Sequence, residues 1–233
     1  MISEEVVIEP RFNGPPDSAN GGYACGLLGE AIGPAARVNL RKPPPLGVPL
    51  SRDGEDGVFR LLDGETVIAD GTAAAPSVAA PAPPDRATAE LASSRFAGRD
   101  PARHSFPTCF VCGPERSEDG LRIFPGPIEG SELLACSWPG EDLADGDGAV
   151  APKFVWAALD CPSGFACMPL GSMTVLASMT AELRGPVTVG DEHVVVAWEL
   201  SSEGRKHQAG SAIYAAGGAC VALAEALWIT LKD

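Results

Sequence analysis

Basic residues are scarce in this chain of 233 residues, which has 17 lysines and arginines against 31 aspartates and glutamates. The formal net charge of −14 produces a surface that repels phosphate backbones and anionic membranes. We therefore expect neither nucleic acid nor a membrane among the partners of this protein.

Long apolar runs are also missing, since no stretch approaches the roughly 18 residues that a membrane-spanning helix needs. The first ten residues, MISEEVVIEP, are acidic and lack the apolar core of a secretory signal. The seven cysteines are an odd number, which fits reduced thiols better than a disulfide framework. With 45% hydrophobic residues, the chain can build a packed core. These features predict a soluble, cytoplasmic, globular protein.

A segment rich in alanine, proline and serine, residues 71–106, divides the chain. Its first part, up to Pro84, has the composition of an extended connector, and residues 85–97 can form a short helix with Asp85 as its N-cap. We predict an N-terminal unit over residues 1–75, a linker over 76–106 and a C-terminal unit over 107–233.

The N-terminal unit combines one helix with antiparallel strands. Residues 17–33 have apolar side chains at helical spacing, with Asp17 or Ser18 available as the cap and Gly33-Pro34 as the stop. Residues 36–42 read as a strand, and residues 57–73 as a hairpin that turns at Asp63-Gly64.

The C-terminal unit repeats this order. Residues 151–168 predict a helix that is interrupted near Pro162. Strands are predicted on both sides of this helix and as a final hairpin, over residues 120–126, 132–138, 172–183, 193–203 and 207–231.

A short internal echo supports duplication. VNLRKPPPLG (38–47) resembles AELRGPVTVG (181–190), and each follows the long helix of its unit. Together with the repeated order of elements, the echo predicts an α+β protein made of two fused copies of one unit.

Asp160 is the strongest single candidate for chemistry, because the surrounding segment, VWAALDCPSGFA, is otherwise uncharged. A buried aspartate is costly unless it is paired or used. Desolvation would raise its pKa and make it a stronger base. The alternative is a structural carboxylate that accepts hydrogen bonds from backbone amides near Pro162.

Asn20, Gly21 and Gly22 form the second candidate element. A helix that opens with glycines lets a ligand approach its free N–H groups, which stabilise developing negative charge. Asn20 can add a donor or cap the helix. The alternative is a plain helix start in which glycine allows close packing.

Metal-binding patterns are incomplete. Cys109 and Cys112 have the spacing of half a zinc site, but no second pair follows and the three histidines are far apart in sequence. A tight turn with buried thiols is the preferred interpretation, and we predict no structural zinc and no cofactor. Asp145 and Asp147 could bind calcium, but a solvated turn fits their short segment better.

Three segments resemble hotdog-fold acyl-thioesterases, in which a long helix is wrapped by a curved antiparallel sheet. NGGYACGLLGE (20–30) is similar to the start of the long helix in these proteins, and APKFVWAALDCPSG (151–164) to the same segment in a second unit. HSFPTCFVCGPERSEDGLRIFPGP (104–127) is similar to the entry of the second unit in hotdog proteins of unassigned function. The resemblance implies a fused double hotdog, a pseudo-dimer in one chain that could assemble further.

The resemblance also implies a hydrolase of acyl thioesters such as acyl-CoA, whose polyanionic carrier would need a local basic patch on this acidic chain. In the family, sites lie where two units meet, which pairs the carboxylate of Asp160 with Asn20, Gly21 and Gly22. The carboxylate could activate water as a base or attack the carbonyl directly as a nucleophile. We assign Tyr23, Pro152 and Trp156 to substrate binding as well.

A second, equivalent site would use Gly29 or Glu30 with Ala151-Pro152, and we expect it to be degenerate. A non-catalytic protein that binds an acyl group or another small ligand on the same fold remains the alternative function. The two functions differ in whether Asp160 lines a pocket within reach of the amides of residues 20–22.

Overall fold

The computed structural model describes residues 2–116, 119–140, 143–145 and 148–232. These residues form strands, α-helices and three short 3₁₀ helices (Pro10–Phe12, Ala97–Arg99 and Pro101–Arg103). In chain order the strands and α-helices are β1 (Ile2–Val7), α1 (Gly21–Ile32), β2 (Ala35–Leu40), β3 (Pro49–Glu55), β4 (Val58–Asp63), β5 (Thr66–Ala73), α2 (Arg86–Ser94), β6 (Gly126–Pro127), β7 (Leu134–Trp138), β8 (Ala144–Asp145), β9 (Ala149–Val150), α3 (Pro152–Cys167), β10 (Thr174–Leu183), β11 (His193–Glu203), β12 (Lys206–Tyr214) and β13 (Cys220–Thr230).

Eleven of these strands form one antiparallel sheet, in the order β1-β3-β4-β5-β2-β10-β13-β12-β11-β7-β6. The halves of the chain meet at β2 and β10, where Val38 lies opposite Met179 and Ala36 opposite Ala181. Read outward from this joint, the order is β2-β5-β4-β3-β1 on one side and β10-β13-β12-β11-β7 on the other, where the two-residue strand β6 is added at the edge. The two echoing segments, 38–47 and 181–190, therefore begin on the two strands that meet at the joint.

The long helices α1 and α3 pack directly against each other through glycines. Gly22, Gly26 and Gly29 recur at the spacing that places residues on one face of a helix. A Cβ on Gly26 would lie 2.6 Å from a backbone Cα of α3, and a Cβ on Gly29 would lie 2.7 Å from the Trp156 ring. The absence of side chains on this face allows the close approach, and the predicted side-by-side helices on an antiparallel sheet are confirmed.

Most predicted elements are present. The hairpin β4–β5, the strands β2, β7, β10 and β11 and the final hairpin β12–β13 match the sequence-based expectations. Helix α2 starts after Asp85, whose carboxylate accepts the amide of Thr88 at 2.8 Å, as predicted. All seven cysteines have free thiols, in agreement with the expectation of reduced cysteines.

Of the caps that the sequence offered for α1, the structure uses Asn20 and not Asp17 or Ser18. Asn20 is the N-cap, and its Oδ1 accepts the backbone N–H of Tyr23 at 2.9 Å. The helix ends at Ile32 with Gly33 as the C-cap, as predicted.

The interruption predicted near Pro162 is wrong, because α3 continues to Cys167 with the proline inside it. Side-chain hydroxyls bind backbone carbonyls next to the proline. Ser211 donates to the carbonyl of Leu159 at 2.7 Å, and Ser163 donates to the carbonyl of Asp160 at 2.7 Å. The carbonyls of Leu159 and Asp160 thus have hydroxyl donors in the helical turn that precedes the proline, which has no N–H of its own.

The strand predicted over residues 120–126 is also wrong, since only Gly126–Pro127 joins the sheet. The amides of Leu121 and Ile123 instead donate to the carbonyls of Phe110 and Val111. This pairing holds the segment against the turn that contains Cys109 and Cys112.

The connector and the segment after it bind both halves of the chain. Tyr214 on β12 donates to the carbonyl of Pro81, and Glu225 on β13 accepts from Ser77. Phe110 packs edge-on against Phe12 of the N-terminal half. The division at residues 75 and 106 stays a prediction, because one core joins both halves. None of the described helices has the length and apolarity to cross a membrane.

Candidate functional site

A cavity of about 590 Å³ lies where the N-terminus of α1 meets α3 and β10. Its wall is mainly apolar, with contributions from both halves of the chain; among these side chains are Leu40, Phe165, Met168, Leu176 and Trp228. A cavity of this size and character can hold an acyl-sized ligand with few polar contacts.

Two carboxylates line this wall, the exposed Asp17 and the buried Asp160. Asp160 lies in the middle of α3, and its side chain is 1% exposed. One carboxylate oxygen, Oδ2, accepts the backbone N–H of Gly22 at 2.9 Å and the side-chain amide of Asn20 at 2.8 Å. The other, Oδ1, is buried and has no hydrogen-bond partner among the described residues. One oxygen is thus fixed by two donors, and the other is buried without a hydrogen bond from the described residues.

Burial raises the pKa of Asp160 from its ordinary value to about 7. The hydrogen bonds from Gly22 and Asn20 lower the pKa, because they favour the charged carboxylate, but they do not cancel the effect of burial. The nearby Cys109 raises the pKa further. The carboxylate is therefore a far better proton acceptor than a solvated aspartate.

Asn20 has two functions at the start of α1. Its Oδ1 caps the helix, and its Nδ2 donates to Asp160 and, at 3.7 Å, to the sulfur of Cys161. The cap therefore fixes the amide orientation that places a donor on the carboxylate of the other long helix.

The first amides of α1 are not equally available. Gly22 donates to Asp160, and Tyr23 donates to Asn20. The N–H of Gly21 has no acceptor within the described part of the chain, and Gly21 lines the cavity. Gly21 is therefore the helix-terminal donor that a ligand oxygen could reach.

Gly22 is required for packing. A Cβ at this position would lie 2.7 Å from the carbonyl oxygen of Trp156 and would also overlap the Asp160 side chain. A side chain at Gly22 would therefore clash directly with α3, which agrees with the alternative in which glycine allows close packing.

The structure divides the predicted site residues into two groups. Asn20, Gly21 and Asp160 line the cavity together, whereas Gly22, Tyr23, Pro152 and Trp156 do not. Those four belong to the packing around it, and their substrate-binding role stays a prediction.

Two of these packing residues are aromatic. Tyr23 stacks on Phe12 with ring centroids 4.4 Å apart, and Trp156 lies over Gly29. Pro152 is the first residue of α3.

Counted from the start of each helix, Gly29 is the position on α1 that corresponds to Asp160 on α3, and Glu30 is the residue after it. The Oε1 of Glu30 accepts the backbone N–H of Lys153 at 3.0 Å, much as Asp160 accepts that of Gly22. Glu30 is exposed, whereas Asp160 is buried. Each long helix thus provides a carboxylate that accepts a backbone N–H from the first turn of the other helix. The two carboxylates differ in their burial.

Cationic residues lie at one end of the cavity wall. Arg41 and Lys42, which follow β2, are exposed and line the cavity. Arg41 forms a two-point ion pair with Asp70. The carboxylate of Asp70 thus neutralises one of these two cations, and Lys42 is the other.

Three thiols in the wall were not expected together. Cys109 and Cys112 come from the turn before β7, and Cys161 directly follows Asp160 on α3. All three sulfurs lie within 4.8 Å of one another. Hydrogen bonds from Cys112 and Cys161 lower the pKa of the Cys109 thiol well below its usual range. The spacing of cysteines in the sequence does not show that Cys161 joins Cys109 and Cys112. Its position next to Asp160 was the one sequence feature that placed it near the candidate site.

His104 lies in the same wall, and its Nδ1 accepts the backbone N–H of Phe106 at 3.1 Å. Burial lowers the pKa of His104. Of the calcium candidates, Asp145 belongs to the short strand β8, and Asp147 lies outside the described residues.

Comparison with sequences finds no protein-family profile and no curated protein that matches this chain. Solved structures do match. A tesB protein of Mycobacterium avium subspecies paratuberculosis has a TM-score of 0.65 at 10% identity, over 99% of this chain and 93% of that one.

Two further solved structures match over 99% of this chain. An acyl-CoA thioesterase II, TesB2, of Mycobacterium marinum has a TM-score of 0.58 at 12% identity, over 93% of its own length. A protein of unknown function with a hot dog fold from Alicyclobacillus acidocaldarius has a TM-score of 0.59 at 11% identity, over 94% of its length. The chain therefore has the hotdog fold, as the resemblance in its sequence predicted.

Proposed function

We propose that this protein hydrolyses acyl thioesters of the acyl-CoA type, with Asp160 as the group that activates water. The single observation that carries the proposal is the geometry of this carboxylate. Its Oδ2 is fixed by Gly22 and Asn20, while its buried Oδ1 is unpartnered among the described residues, in the wall of an apolar cavity. The name of one protein with a similar fold, the acyl-CoA thioesterase II TesB2 of Mycobacterium marinum, supports the same reaction class.

In the proposed reaction, a water molecule transfers a proton to Oδ1 of Asp160 while its oxygen attacks the thioester carbonyl carbon. The carbonyl electron pair moves to oxygen, and the N–H of Gly21 donates to the resulting oxyanion. Collapse of this intermediate breaks the carbon–sulfur bond. The departing thiolate takes the proton from Asp160, which leaves a carboxylic acid, a free thiol and the original carboxylate.

The cavity wall supports an elongated substrate with two different ends. The apolar side chains Leu176, Phe165 and Trp228 suit an acyl chain. Arg41 and Lys42 suit the phosphates of a coenzyme A carrier, which the net charge of −14 would otherwise repel.

The proposal includes a fused double hotdog with a single composite site. The mirrored strand order around the β2–β10 joint supports two copies of one unit in the chain. Asp160 and Glu30 each accept an amide at the start of the opposite long helix, but only Asp160 is buried in the cavity. A fused duplicate can lose one of two sites, whereas a symmetric homodimer cannot.

A screen of acyl-CoA substrates of increasing chain length tests the proposal by measuring thiol release. Parallel titrations use non-hydrolysable thioether analogues of the same chains. Hydrolysis of at least one substrate at a rate proportional to enzyme concentration is the expected result. Binding of the thioether analogues without any thiol release would contradict hydrolysis.

That contrary result would favour a non-catalytic protein that binds acyl groups, the second candidate. A specific contact supports this alternative, because Asp160 also ties α1 to α3 through Gly22 and Asn20. A carboxylate with that structural task alone would give a binding cavity without turnover.

A further inference from the structure

Three buried thiols converge in the cavity wall from two distant parts of the chain. Cys109 is 2% exposed, Cys112 is 3% exposed and Cys161 is 9% exposed. Their sulfurs all lie within 4.8 Å of one another, and those of Cys109 and Cys161 are 3.8 Å apart. Among the described residues, these three cysteines form a group whose sulfurs are close enough together to bind one metal ion.

The spacing fits a tetrahedral thiolate site. With zinc–sulfur bonds of about 2.3 Å, tetrahedral geometry separates two sulfur ligands by about 3.8 Å. The sulfurs of Cys109 and Cys161, 3.8 Å apart, are at this separation.

The local backbone supports the same assignment. Cys109 and Cys112 lie on one tight turn, in which the N–H of Gly113 donates to the carbonyl of Cys109 at 2.9 Å. A Cβ on Gly113 would lie 2.5 Å from that carbonyl oxygen, so the turn depends on glycine after the second cysteine. Two thiols are thereby presented in a fixed orientation toward the third, on α3.

Polar groups are available around the cluster. Asn20 points its Nδ2 at the sulfur of Cys161 at 3.7 Å, as a donor to a thiolate would. The Nε2 of His104 and the Oδ1 of Asp160 are buried without partners among the described residues, and both residues line the cavity. Partnerless buried polar atoms are rare unless a water, an ion or a ligand satisfies them.

We propose that Cys109, Cys112 and Cys161 bind a thiophilic metal ion, with zinc as the first candidate, and leave its fourth position open toward the cavity. Three protein ligands with one exchangeable position are typical of zinc sites that meet a ligand, whereas closed sites use four protein ligands. The chain alone offered only Cys109 and Cys112, and the sequence therefore predicted no zinc; the fold supplies the third thiol. This proposal is independent of thioester hydrolysis.

Cobalt substitution tests the site without any activity assay. The full chain is reduced, its free thiols are counted, and it is titrated anaerobically with Co²⁺ and then with Zn²⁺. One equivalent of Co²⁺ should produce thiolate-to-cobalt charge transfer and the intense visible bands of tetrahedral coordination, and Zn²⁺ should remove them. Competition with a chelator then gives the zinc affinity.

Cysteine-to-serine variants locate the ion. Cys161→Ser and Cys112→Ser should each weaken zinc binding by more than about 100-fold, since even the loss of an outer-shell partner can cost that much. Cys220→Ser is the matched control, because Cys220 lies on β13 outside the cluster and should leave the spectrum unchanged.

Two results would overturn the proposal. One is the absence of tetrahedral cobalt bands in the fully reduced wild-type chain, which would leave a packed cluster of thiols. The other is a cobalt spectrum that survives in Cys161→Ser and Cys112→Ser. The wild-type titration decides the matter even if a variant fails to fold.

Discussion

Replacement of Gly26 by alanine should destabilise the protein, although alanine is the better helix former. Gly26 lies in the middle of α1, where the change to alanine alone would stabilise by about 1 kcal/mol. The added Cβ would, however, lie 2.6 Å from a backbone Cα of α3. Because backbone atoms cannot rotate away, the helices must separate by about 1 Å to restore an ordinary contact distance of about 3.5–4.0 Å.

The cost of this separation exceeds the gain in helix propensity. Overpacking of a filled core typically costs about 1–3 kcal/mol, and α1 and α3 also share hydrogen bonds that would lengthen. The Gly22–Asp160 bond is 2.9 Å and the Asn20–Asp160 bond is 2.8 Å, and both cross the same interface. We expect Gly26→Ala to lower the free energy of unfolding by about 1–2 kcal/mol.

Urea denaturation measures this free energy, with Gly217→Ala as the matched control. Gly217 has open space around its Cβ position and no positive φ, so its replacement should change stability by less than about 0.5 kcal/mol. If Gly26→Ala is as stable as the wild type or more stable, close packing of the two helices does not limit this position and the reasoning fails.

Three further changes test single contacts. Asn20→Ala removes the helix cap and the donor to Asp160, and should lower the free energy of unfolding by about 2–3 kcal/mol, measured by urea denaturation; a loss under about 0.5 kcal/mol would contradict both roles. Ser211→Ala leaves the carbonyl of Leu159 without its donor next to the helix proline, and should cost about 1–3 kcal/mol in the same assay, whereas an unchanged midpoint would show that another donor replaces it. Burial lowers the pKa of His193 below its unfolded value of about 6.5. The unfolded state therefore binds more protons, so the stabilising contribution of neutral His193 is complete above that pH. It declines as the pH falls toward the lower pKa of the folded state. His193→Gln should flatten this decline in unfolding measurements between about pH 7 and pH 5, and an unaltered slope would assign the decline to other groups.

The sequence predicted the central elements of the fold because their side chains are patterned by burial. Apolar spacing marked α1 and α3, and β-branched and apolar runs marked the strands next to the joint. Strands β1 and β3 were missed because both are polar: β1 is the edge strand and pairs with β3, and β3 pairs with β1 and β4. Local composition carries no information about such pairing.

Site prediction succeeded where one residue conflicts with its surroundings. Asp160 was recognisable as a lone charge in an apolar helix, and Asn20 as a polar residue before two glycines. Cys161 was not, because its partners, Cys109 and Cys112, are some fifty positions away and only the tertiary fold brings them together. The uninterrupted helix at Pro162 was equally hidden, since its compensation comes from Ser211 on a distant strand.

The turnover of Asp160→Asn, expressed per folded molecule, tests the central proposal most directly. The amide oxygen of asparagine can replace Oδ2 as the acceptor from Gly22 and Asn20, but the amide nitrogen cannot take a proton from water at the position of Oδ1. The change should therefore reduce kcat by about 10²–10⁴ while the cooperative unfolding transition is kept.

Asp63→Asn, at an exposed hairpin turn, is the matched control and should retain wild-type turnover. A protein that hydrolyses an acyl thioester at the wild-type rate per folded molecule after Asp160→Asn would contradict the role of this carboxylate in the reaction.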